Sequence, residues 1–224
     1  MRRALTRKRS FFKVLWAGRI SRVLLLTACV LLIAAVVVAL CLFDEGVSAG
    51  QNAQKLAEAY DKAVSVQPAM SDESPETSEE PDETTRPDAM PVTIDGYQVM
   101  GKIQIPKIEA ALPVIAYTDE EALKVSVCYF QGPMPDERGD LVITGHNYAS
   151  GAHFGRLDEL ETGDDVTLSM PDGSVYRYVV AKKQRIKPDD TEALNNYEGD
   201  HVLTLLTCTS HGNERLLVRC DLEG

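Results

Sequence analysis

The feature that most constrains this chain is an uncharged apolar run of 21 residues, VLLLTACVLLIAAVVVALCLF, from Val23 to Phe43. A helix that crosses the hydrocarbon core of a bilayer needs about 20 such residues. Residues 1–22 hold eight Lys and Arg and no acidic residue, whereas all 34 Asp and Glu lie from Asp44 onward. The positive-inside rule therefore predicts a single-pass protein of the cell membrane, with a cytoplasmic N-terminus and the rest of the chain outside.

A cleaved secretory signal is the alternative interpretation of this run, because Val47-Ser48-Ala49 resembles a small-residue cleavage site. The run is longer than the roughly 7 to 15 apolar residues of a signal core. Asp44 and Glu45 also stand between the run and the small residues. An uncleaved anchor is favoured, and both interpretations place the C-terminal part outside the membrane.

The composition changes again after the apolar run. Residues Asn52–Val64 place apolar side chains at helical spacing, which predicts a short juxtamembrane helix that acts as a stalk. From about Ser65 to Asp95 the chain is rich in proline, hydroxyl and carboxylate groups, which predicts a disordered acidic spacer. The predicted organisation is a basic N-terminus (1–22), a membrane anchor (23–43), a helix with an acidic linker (44–95) and a folded domain (96–224).

The folded part has the size of a single domain and consists mainly of predicted strands. Its apolar runs are separated by Gly and Pro turns, and Asp172-Gly173 is a hairpin signal. Many short strands of this kind predict a mainly β fold, either a barrel or a sandwich. The predicted strands are Tyr97–Ile108, Ala111–Tyr117, Leu141–Asn147, Asp165–Met170, Val175–Ile186, His201–Cys208 and Arg215–Leu222, and the predicted short helices are Asp119–Lys124, Phe154–Leu160 and Thr191–Asn196.

Cys208 lies where an apolar strand that ends in Leu206 opens into a polar loop. A buried inert thiol is one interpretation. A nucleophilic thiol would need a proton carrier and a group that stabilises its thiolate. His146 stands at another strand end, in Thr144–Asn147, and Arg215 begins the last strand, where an antiparallel pair would bring it back beside the thiol.

The other histidines and arginines are weaker candidates. His211 lies three residues after the cysteine, but no second pair with ligand spacing exists, so a zinc site is not expected. His153 and His201 are expected in loops or on the surface. Arg219 shares a strand face with Arg215 and stays an alternative for the same role.

The stretches around the three candidates together resemble the sortases, surface cysteine transpeptidases of Gram-positive bacteria. The resemblance rests on Thr204–Cys208 (TLLTC), on Thr144–Asn147 (TGHN) and on Arg215 leading into Leu216–Val218, in the order His, Cys, Arg. It runs through most of Gly101–Leu222 and includes the N-terminal anchor. The resemblance implies a closed eight-stranded β-barrel with short helices, preceded by one transmembrane helix.

The resemblance also implies a mechanism. Cys208 would attack a carbonyl of an LPXTG-like sorting signal and form a thioacyl enzyme, with His146 as general acid and base. Arg215 would hydrogen-bond the substrate and the developing oxyanion, and Thr207 and Asn147 would support the substrate or oxyanion. The acceptor amine would come from a cell-wall precursor such as lipid II or from a pilin lysine.

The subclass is left open by the same residues. The stretch around Arg215 resembles the pilin-polymerising sortases, whereas the segment before the barrel has no Asp-Pro-aromatic lid motif, so housekeeping-like and class D-like anchoring enzymes are alternatives. Some housekeeping sortases bind calcium through loop carboxylates. Glu159, Glu161, Asp164 and Asp165 occupy a comparable loop, but a solvated acidic loop is favoured, and no cofactor or metal is expected.

Two other function classes are compatible with these residues. One is an extracytoplasmic cysteine peptidase or hydrolase, although papain-like enzymes place Cys before His and the caspase QAC motif is absent from the sequence. The other is a membrane-tethered module that only binds a peptide. Nucleic-acid binding is not expected, because the part from Asp44 onward has a formal charge of about −19 and no basic stripe.

Overall fold

The computed structural model contains two compact units, Met1–Asp44 and Glu45–Gly224. The core of the predicted acidic spacer, residues 67–90, lies outside the described residues, as does His211. The structure describes residues 2–66, 91–190, 192–195, 197–209 and 212–223.

The first unit is formed by the N-terminal part of helix α1 (Arg2–Val66). Among the described residues, one helical segment is long and apolar enough to cross a membrane, with a mean hydropathy of 3.0. Its large apolar side chains are exposed, with Leu31 at 70% and Leu32 at 68%. A helix that exposes apolar side chains in this way suits lipid as its surroundings. The segment is therefore a candidate membrane span and includes much of the predicted anchor over 23–43.

The C-terminal part of α1, residues 45–66, belongs to the second unit and is called the juxtamembrane helix below. The sequence predicts a stalk here, but the helix packs along the barrel instead. Leu56 and Tyr60, one helical turn apart, are each only 3% exposed and lie in an apolar cluster with barrel residues. Lys102 of the barrel also forms a salt bridge of 2.6 Å with Asp61.

The second unit is built on a nine-stranded sheet among the described residues. Two short helices, α2 (Glu120–Val125) and α3 (Glu192–Asn195), and two 3₁₀ turns, Pro106–Ile108 and Leu157–Glu159, lie in its connections. The strands are β1 (Val92–Ile94), β2 (Tyr97–Ile105), β3 (Ala110–Ile115), β4 (Val127–Gln131), β5 (Gly139–Thr144), β6 (Asp165–Ser169), β7 (Val175–Ile186), β8 (His201–Cys208) and β9 (Arg215–Leu222).

Eight of these strands close into a barrel, which confirms the predicted fold class. The order around the barrel is β2-β3-β4-β5-β8-β9-β7-β6, and β6 pairs back onto β2. The short strand β1 pairs only with the start of β2. Closure leaves no long open sheet edge among the described residues, which protects the sheet from edge-to-edge association.

Two strands and one helix differ from the sequence-based expectation. Strands β1 and β4 are absent from the predicted set, because β1 has only three residues and the VCYFQ sequence of β4 shows no period-2 alternation. The predicted helix Phe154–Leu160 is a single 3₁₀ turn over Leu157–Glu159. Gly155 packs so closely on the backbone of Tyr148 that this segment forms a tight loop instead of a regular helix.

Two strand pairings determine where the candidate residues lie. Strand β5 runs parallel to β8, with Thr144 opposite Leu206. Strand β8 runs antiparallel to β9, with Cys208 opposite Arg215. The C-terminal ends of β5 and β8 and the N-terminal end of β9 therefore meet at one rim of the barrel. Leu205 points into the main core, so the alternating residues on β8 face outward at this rim.

The turn after β4 supplies a test of this architecture. Gly132 has φ of +101°, and a Cβ at this position would lie 1.9 Å from the carbonyl oxygen of Asp140. We expect Gly132→Ala to lower the free energy of unfolding by more than about 3 kcal/mol, because strand β5 must move and the backbone strain of about 1–2 kcal/mol adds to that cost. Urea-induced unfolding of the full chain in detergent, followed by near-UV circular dichroism, measures the change.

Gly163→Ala is the matched control. Gly163 has φ of +97°, but apart from the glycine and its two chain neighbours no described heavy atom lies within 4 Å of the point that a Cβ would occupy. We expect this variant to lose only the backbone contribution of about 1–2 kcal/mol. Equal losses in the two variants would contradict the close approach of β4 and β5.

Candidate active site

A cavity of about 360 Å³ opens at the rim where β5, β8 and β9 meet. Four of the five residues predicted from the sequence line it: His146, Thr207, Cys208 and Arg215. The fifth, Asn147, lies next to the histidine and contacts the backbone of β8. The fold therefore brings together residues that are up to 69 positions apart in the chain.

Cys208 is the last residue of β8, and its side chain is half-exposed. It lies directly opposite Arg215 in the antiparallel pair. Opposed residues in such a pair have Cβ atoms about 4.5–5.5 Å apart and project to the same face. By contrast, Cys128 and Cys220 are both fully buried. Cys208 is thus a thiol that solvent can reach, with a permanent cation as its cross-strand neighbour.

Two hydrogen bonds attach the histidine loop to the cysteine strand. The Thr207 hydroxyl donates to the carbonyl of Gly145 at 2.7 Å, and the Asn147 amide donates to the carbonyl of Cys208 at 2.7 Å. These bonds bracket His146 on both sides. In the structure Thr207 and Asn147 thus hold the backbone of the histidine loop against the end of β8. Their contact with an oxyanion stays a prediction.

His146 is half-buried at the end of the β5 segment. Burial lowers its pKa, the nearby Lys124 lowers it further, and Glu120 acts in the opposite direction. The neutral imidazole is therefore favoured relative to a solvated histidine, which suits a group that has to accept a proton. Both charged neighbours lie on α2, whose N-terminus is capped by the carboxylate of Asp119 at 2.7 Å from the Ala122 nitrogen.

One wall of the cavity is apolar. It combines Leu206 from β8 with Ile186 at the end of β7 and Leu194 of α3, which belong to a separate apolar cluster on the outside of the barrel. Phe130 of β4 is 44% exposed and lines the same cavity. The cavity can therefore accept an apolar side chain of a bound segment beside the thiol.

Arg219 lies deeper along β9 than Arg215. It is opposite Thr204, is 7% exposed and donates to the carbonyl of Ala193 in α3. It lines a different cavity, of about 590 Å³. This placement favours Arg215 as the cation beside the cysteine.

His201 and His153 lie apart from the cysteine. His201 begins β8, at the opposite end of the strand from the cysteine, and its ring contacts the carbonyl of Pro135 at 3.2 Å. His153 lies in a loop as expected but is only 2% exposed. Tyr148, which the sequence pattern did not single out, packs its ring between His146 and His153. An aromatic residue two positions after the candidate histidine was the available signal.

Two of the four carboxylates considered for calcium, Glu159 and Asp164, lie beside basic side chains. Glu159 forms a salt bridge of 2.8 Å with Arg156, and Asp164 lies 3.9 Å from Lys107. Within the described ranges, no group of three or more His, Cys, Asp or Glu could hold a metal ion. The expectation that the chain needs no cofactor stays a prediction.

The structure is thus a closed β-barrel with a cysteine, a histidine and an arginine lining one cavity at its rim, a set of residue types that can perform cysteine-dependent acyl transfer. The family model described as the sortase domain matches residues 103–223, and the chain belongs to the sortase family. Sortases are cysteine transpeptidases that act on surface proteins. The match covers more than half of the chain and includes every candidate residue of the site.

Several relatives are similar to this chain. It is 34% identical over 112 residues to Sortase D of Bacillus subtilis, which covers 50% of this chain and 54% of that protein. It is 29% identical over 135 residues to Sortase A of Bacillus anthracis, which covers 59% of this chain and 63% of that protein. The solved structure of sortase C1 from Streptococcus agalactiae is similar with a TM-score of 0.53 and 34% identity, covering 58% of this chain and 70% of that chain.

These similarities identify the family without selecting a subclass. The relatives carry three different class names, A, C and D. The matched part spans 54% and 63% of the two curated relatives. The comparisons therefore do not assign a subclass, a substrate or an acceptor to this chain.

The different environments of the cysteines predict selective alkylation. Burial, with a smaller contribution from Asp119, raises the pKa of Cys128 to about 12, and burial likewise raises the pKa of Cys220. At pH 8 about one in 10⁴ molecules would carry a Cys128 thiolate, and only the thiolate reacts. We expect iodoacetamide to modify Cys208 at least about 100-fold faster than either buried cysteine in the native full chain.

Peptide mapping by mass spectrometry measures these rates site by site. In guanidinium the three cysteines should react at similar rates, which controls for the peptides themselves. Native-state labelling of Cys128 or Cys220 as fast as Cys208 would contradict the described burial.

Proposed function

We propose that this protein is a membrane-anchored cysteine transpeptidase that cleaves an LPXTG-like sorting signal and transfers the acyl group to an amine. The observation that carries the proposal is the direct cross-strand pairing of Cys208 with Arg215 in the cavity that His146 also lines. The apolar N-terminal helix and the basic residues before it support an anchor with a cytoplasmic N-terminus and an extracellular catalytic domain.

The first half-reaction forms a thioacyl enzyme. The Cys208 thiol transfers its proton to His146, and the thiolate attacks the carbonyl carbon of the scissile peptide bond. A carbon–sulfur bond forms while the carbonyl oxygen becomes an oxyanion, which the Arg215 guanidinium stabilises. The imidazolium of His146 then protonates the departing amine, and the carbon–nitrogen bond breaks.

The second half-reaction reverses these roles. An acceptor amine attacks the thioester, and neutral His146 removes a proton from the attacking nitrogen. A new amide bond forms and the carbon–sulfur bond breaks, so Cys208 leaves as a thiolate. The lowered pKa of His146, which follows from its burial, supports its action as the base in this step.

Arg215 suits the oxyanion role for two physical reasons. Its guanidinium stays charged at any pH at which a protein is folded, and its planar fork can donate two parallel hydrogen bonds. Its described hydrogen bonds are long, at 3.5 Å to the carbonyls of Gly212 and Glu214. A substrate oxygen can compete for donors that are held so weakly.

The apolar wall of the cavity supports the proposed substrate, and the proposed acceptor follows by analogy with the sortase family. The apolar wall formed by Ile186, Leu194 and Leu206 would accept the apolar residues of a sorting signal. The acceptor would be a cell-wall precursor amine such as that of lipid II, or a pilin lysine. A housekeeping-like, a class D-like and a pilin-polymerising enzyme are compatible with these residues.

The test of the nucleophile uses the full-length protein in detergent with an LPXTG-type peptide and a glycine or lysine peptide as amine. We expect mass spectrometry to detect a thioester on Cys208 and an amide-linked product. Cys208→Ala should abolish both, because the acyl intermediate has no sulfur to form on. Cys29→Ser, in the apolar helix, is the matched control and should keep full activity.

The outcomes separate the alternatives. Turnover that survives Cys208→Ala would overturn the proposed nucleophile. Cleavage with water as the only acceptor would identify a cysteine hydrolase instead. Peptide binding without cleavage by the wild-type protein would identify a binding module.

The test of the arginine is Arg215→Lys. We expect kcat/KM to fall by about 100-fold, because a lysine keeps the charge but loses the paired donors. The circular dichroism spectrum should stay unchanged. Arg185→Lys, an exposed arginine of β7 that lies 3.9 Å from Glu214, is the matched control and should be near normal.

Arg219→Lys provides a comparison that shows which of the two arginines of β9 has the oxyanion role. Near-normal kcat/KM in Arg215→Lys together with an inactive but folded Arg219→Lys would assign the oxyanion role to Arg219. Loss of activity only at position 215 supports the proposed site.

A further inference from the structure

The ring of the candidate general base is one of three aromatic rings in a row. The ring centroids of His146 and Tyr148 are 5.3 Å apart at an interplanar angle of 62°, and those of Tyr148 and His153 are 5.2 Å apart at 74°. Both are edge-to-face contacts, the favoured geometry for aromatic rings. A bridge between Asn147 and His153 and a hydrogen bond of 3.0 Å from the Phe154 nitrogen to the His146 carbonyl fold the loop back so that the rings meet.

His153, the third ring, occupies an unusual position for a loop residue. It is 2% exposed and has φ of +51°, in the left-handed region. Neither ring nitrogen has a hydrogen bond of acceptable geometry among the described residues. Burial lowers the pKa of His153 to about 4 and the neighbouring His146 adds to this, while backbone groups of Ala49 and Val125 act in the opposite direction. The residue is therefore a neutral ring held in place by its surroundings, the kind of feature that accumulates near functional sites.

The surroundings that hold this loop include the juxtamembrane helix (residues 45–66). Gly46 approaches the loop so closely that a Cβ there would lie 2.3 Å from Ser150 Oγ and 3.2 Å from Tyr148 Cβ. One turn further along, Ala49 is 3% exposed and lies against His153. Small residues on this helix face permit the contact, so the helix surface and the ring row form one packed unit.

We propose that Tyr148 and His153 are positioning residues, through which the packing of the juxtamembrane helix orients the ring of His146 towards Cys208. This inference rests on the proposed role of His146 as general acid and base. The juxtamembrane helix is then part of the catalytic unit instead of a spacer between the membrane and the barrel.

The position of His146 makes such support necessary. Its ring is half-buried and follows the end of β5, so the strand ladder does not fix its orientation. The charged groups that act on it are Lys124 and Glu120 of α2, and Glu45 of the juxtamembrane helix acts on Tyr148. Tyr148 is the ring that contacts it from the helix side. Proton transfer requires the imidazole to point at the reacting groups, and small misplacements reduce the rate strongly.

The first experiment compares Tyr148→Phe with Tyr148→Ala in the full-length protein. Phenylalanine keeps the ring, so kcat should stay within about twofold of wild type. Alanine removes it, so kcat should fall at least about tenfold with KM nearly unchanged. Alanine also exposes His146, and because burial lowers the pKa of this histidine, its pKa measured by NMR should rise towards the ordinary value. Unchanged kcat and an unchanged His146 pKa in Tyr148→Ala would overturn the proposal.

The second experiment tests the helix. Gly46→Ala places a methyl group against Ser150 and should reduce kcat at least about fivefold, whereas Gly50→Ala meets Ala152 only at an ordinary 3.4 Å and should be neutral. The double variant with Ser150→Gly removes the opposing side chain and should recover activity. The unfolding midpoint of each variant, measured by circular dichroism, separates an effect on kcat from a global loss of stability. Gly46→Ala with wild-type kcat would overturn the link between helix and histidine.

The failure of this inference is distinguishable from failure of the proposed function. Transfer by the wild-type protein is measured first, and its absence would overturn the function alone. The NMR titration of His146 needs no substrate and reports the Tyr148 contact in either case. A His146 pKa that responds to Tyr148→Ala and to Gly46→Ala, but not to Gly50→Ala, supports the inference.

Discussion

The parallel pairing of β5 with β8 is the contact on which the site depends. It places the ends of two strands at the same rim, so that Cys208, at the end of β8, and His146, just beyond the end of β5, can take part in one site. Antiparallel β9 then starts at that rim and supplies Arg215 opposite Cys208. A slip of one residue in β8 would turn Cys208 into the apolar core and expose leucines in its place. Buried hydrogen bonds from Thr204 to Asp140, at 2.9 Å, and from Thr207 oppose such a slip.

The barrel separates two environments along the same strands. Leu203 and Leu205 of β8 face the interior with the main apolar core, whereas Leu206 and Leu217 face outward into a smaller cluster beneath α3. This outer cluster forms the floor and wall beside Cys208. The cavity beside Cys208 is therefore built on the outside of a complete barrel.

The parts of the fold that were predictable are those with local signals. The strand carrying Cys208 showed a mostly apolar run that opened into polar residues, and His146 and Arg215 stood at similar strand ends. The unexpected parts depend on contacts that are distant in sequence. The short strand β4 is defined by its partners, and the burial of His153 depends on a helix about a hundred residues earlier. Periodicity cannot show that a helix such as the juxtamembrane one packs on a barrel instead of facing water.

The site combines one fixed group with two adjustable ones. Cys208 belongs to a strand that is paired on both sides, so its position is set by the backbone ladder. Arg215 begins a strand, and among the described residues its guanidinium makes hydrogen bonds of 3.5 Å. His146 lies in a loop, where its ring contacts that of Tyr148. Because Cys208 is fixed by the backbone, it determines where the thioester forms. Arg215 and His146 can shift slightly, so that they can interact first with the oxyanion and then with the leaving or attacking amine. His146 is held less rigidly than Cys208. Substitutions in its loop, or in the juxtamembrane helix packed against that loop, can therefore alter catalysis although they are distant from Cys208.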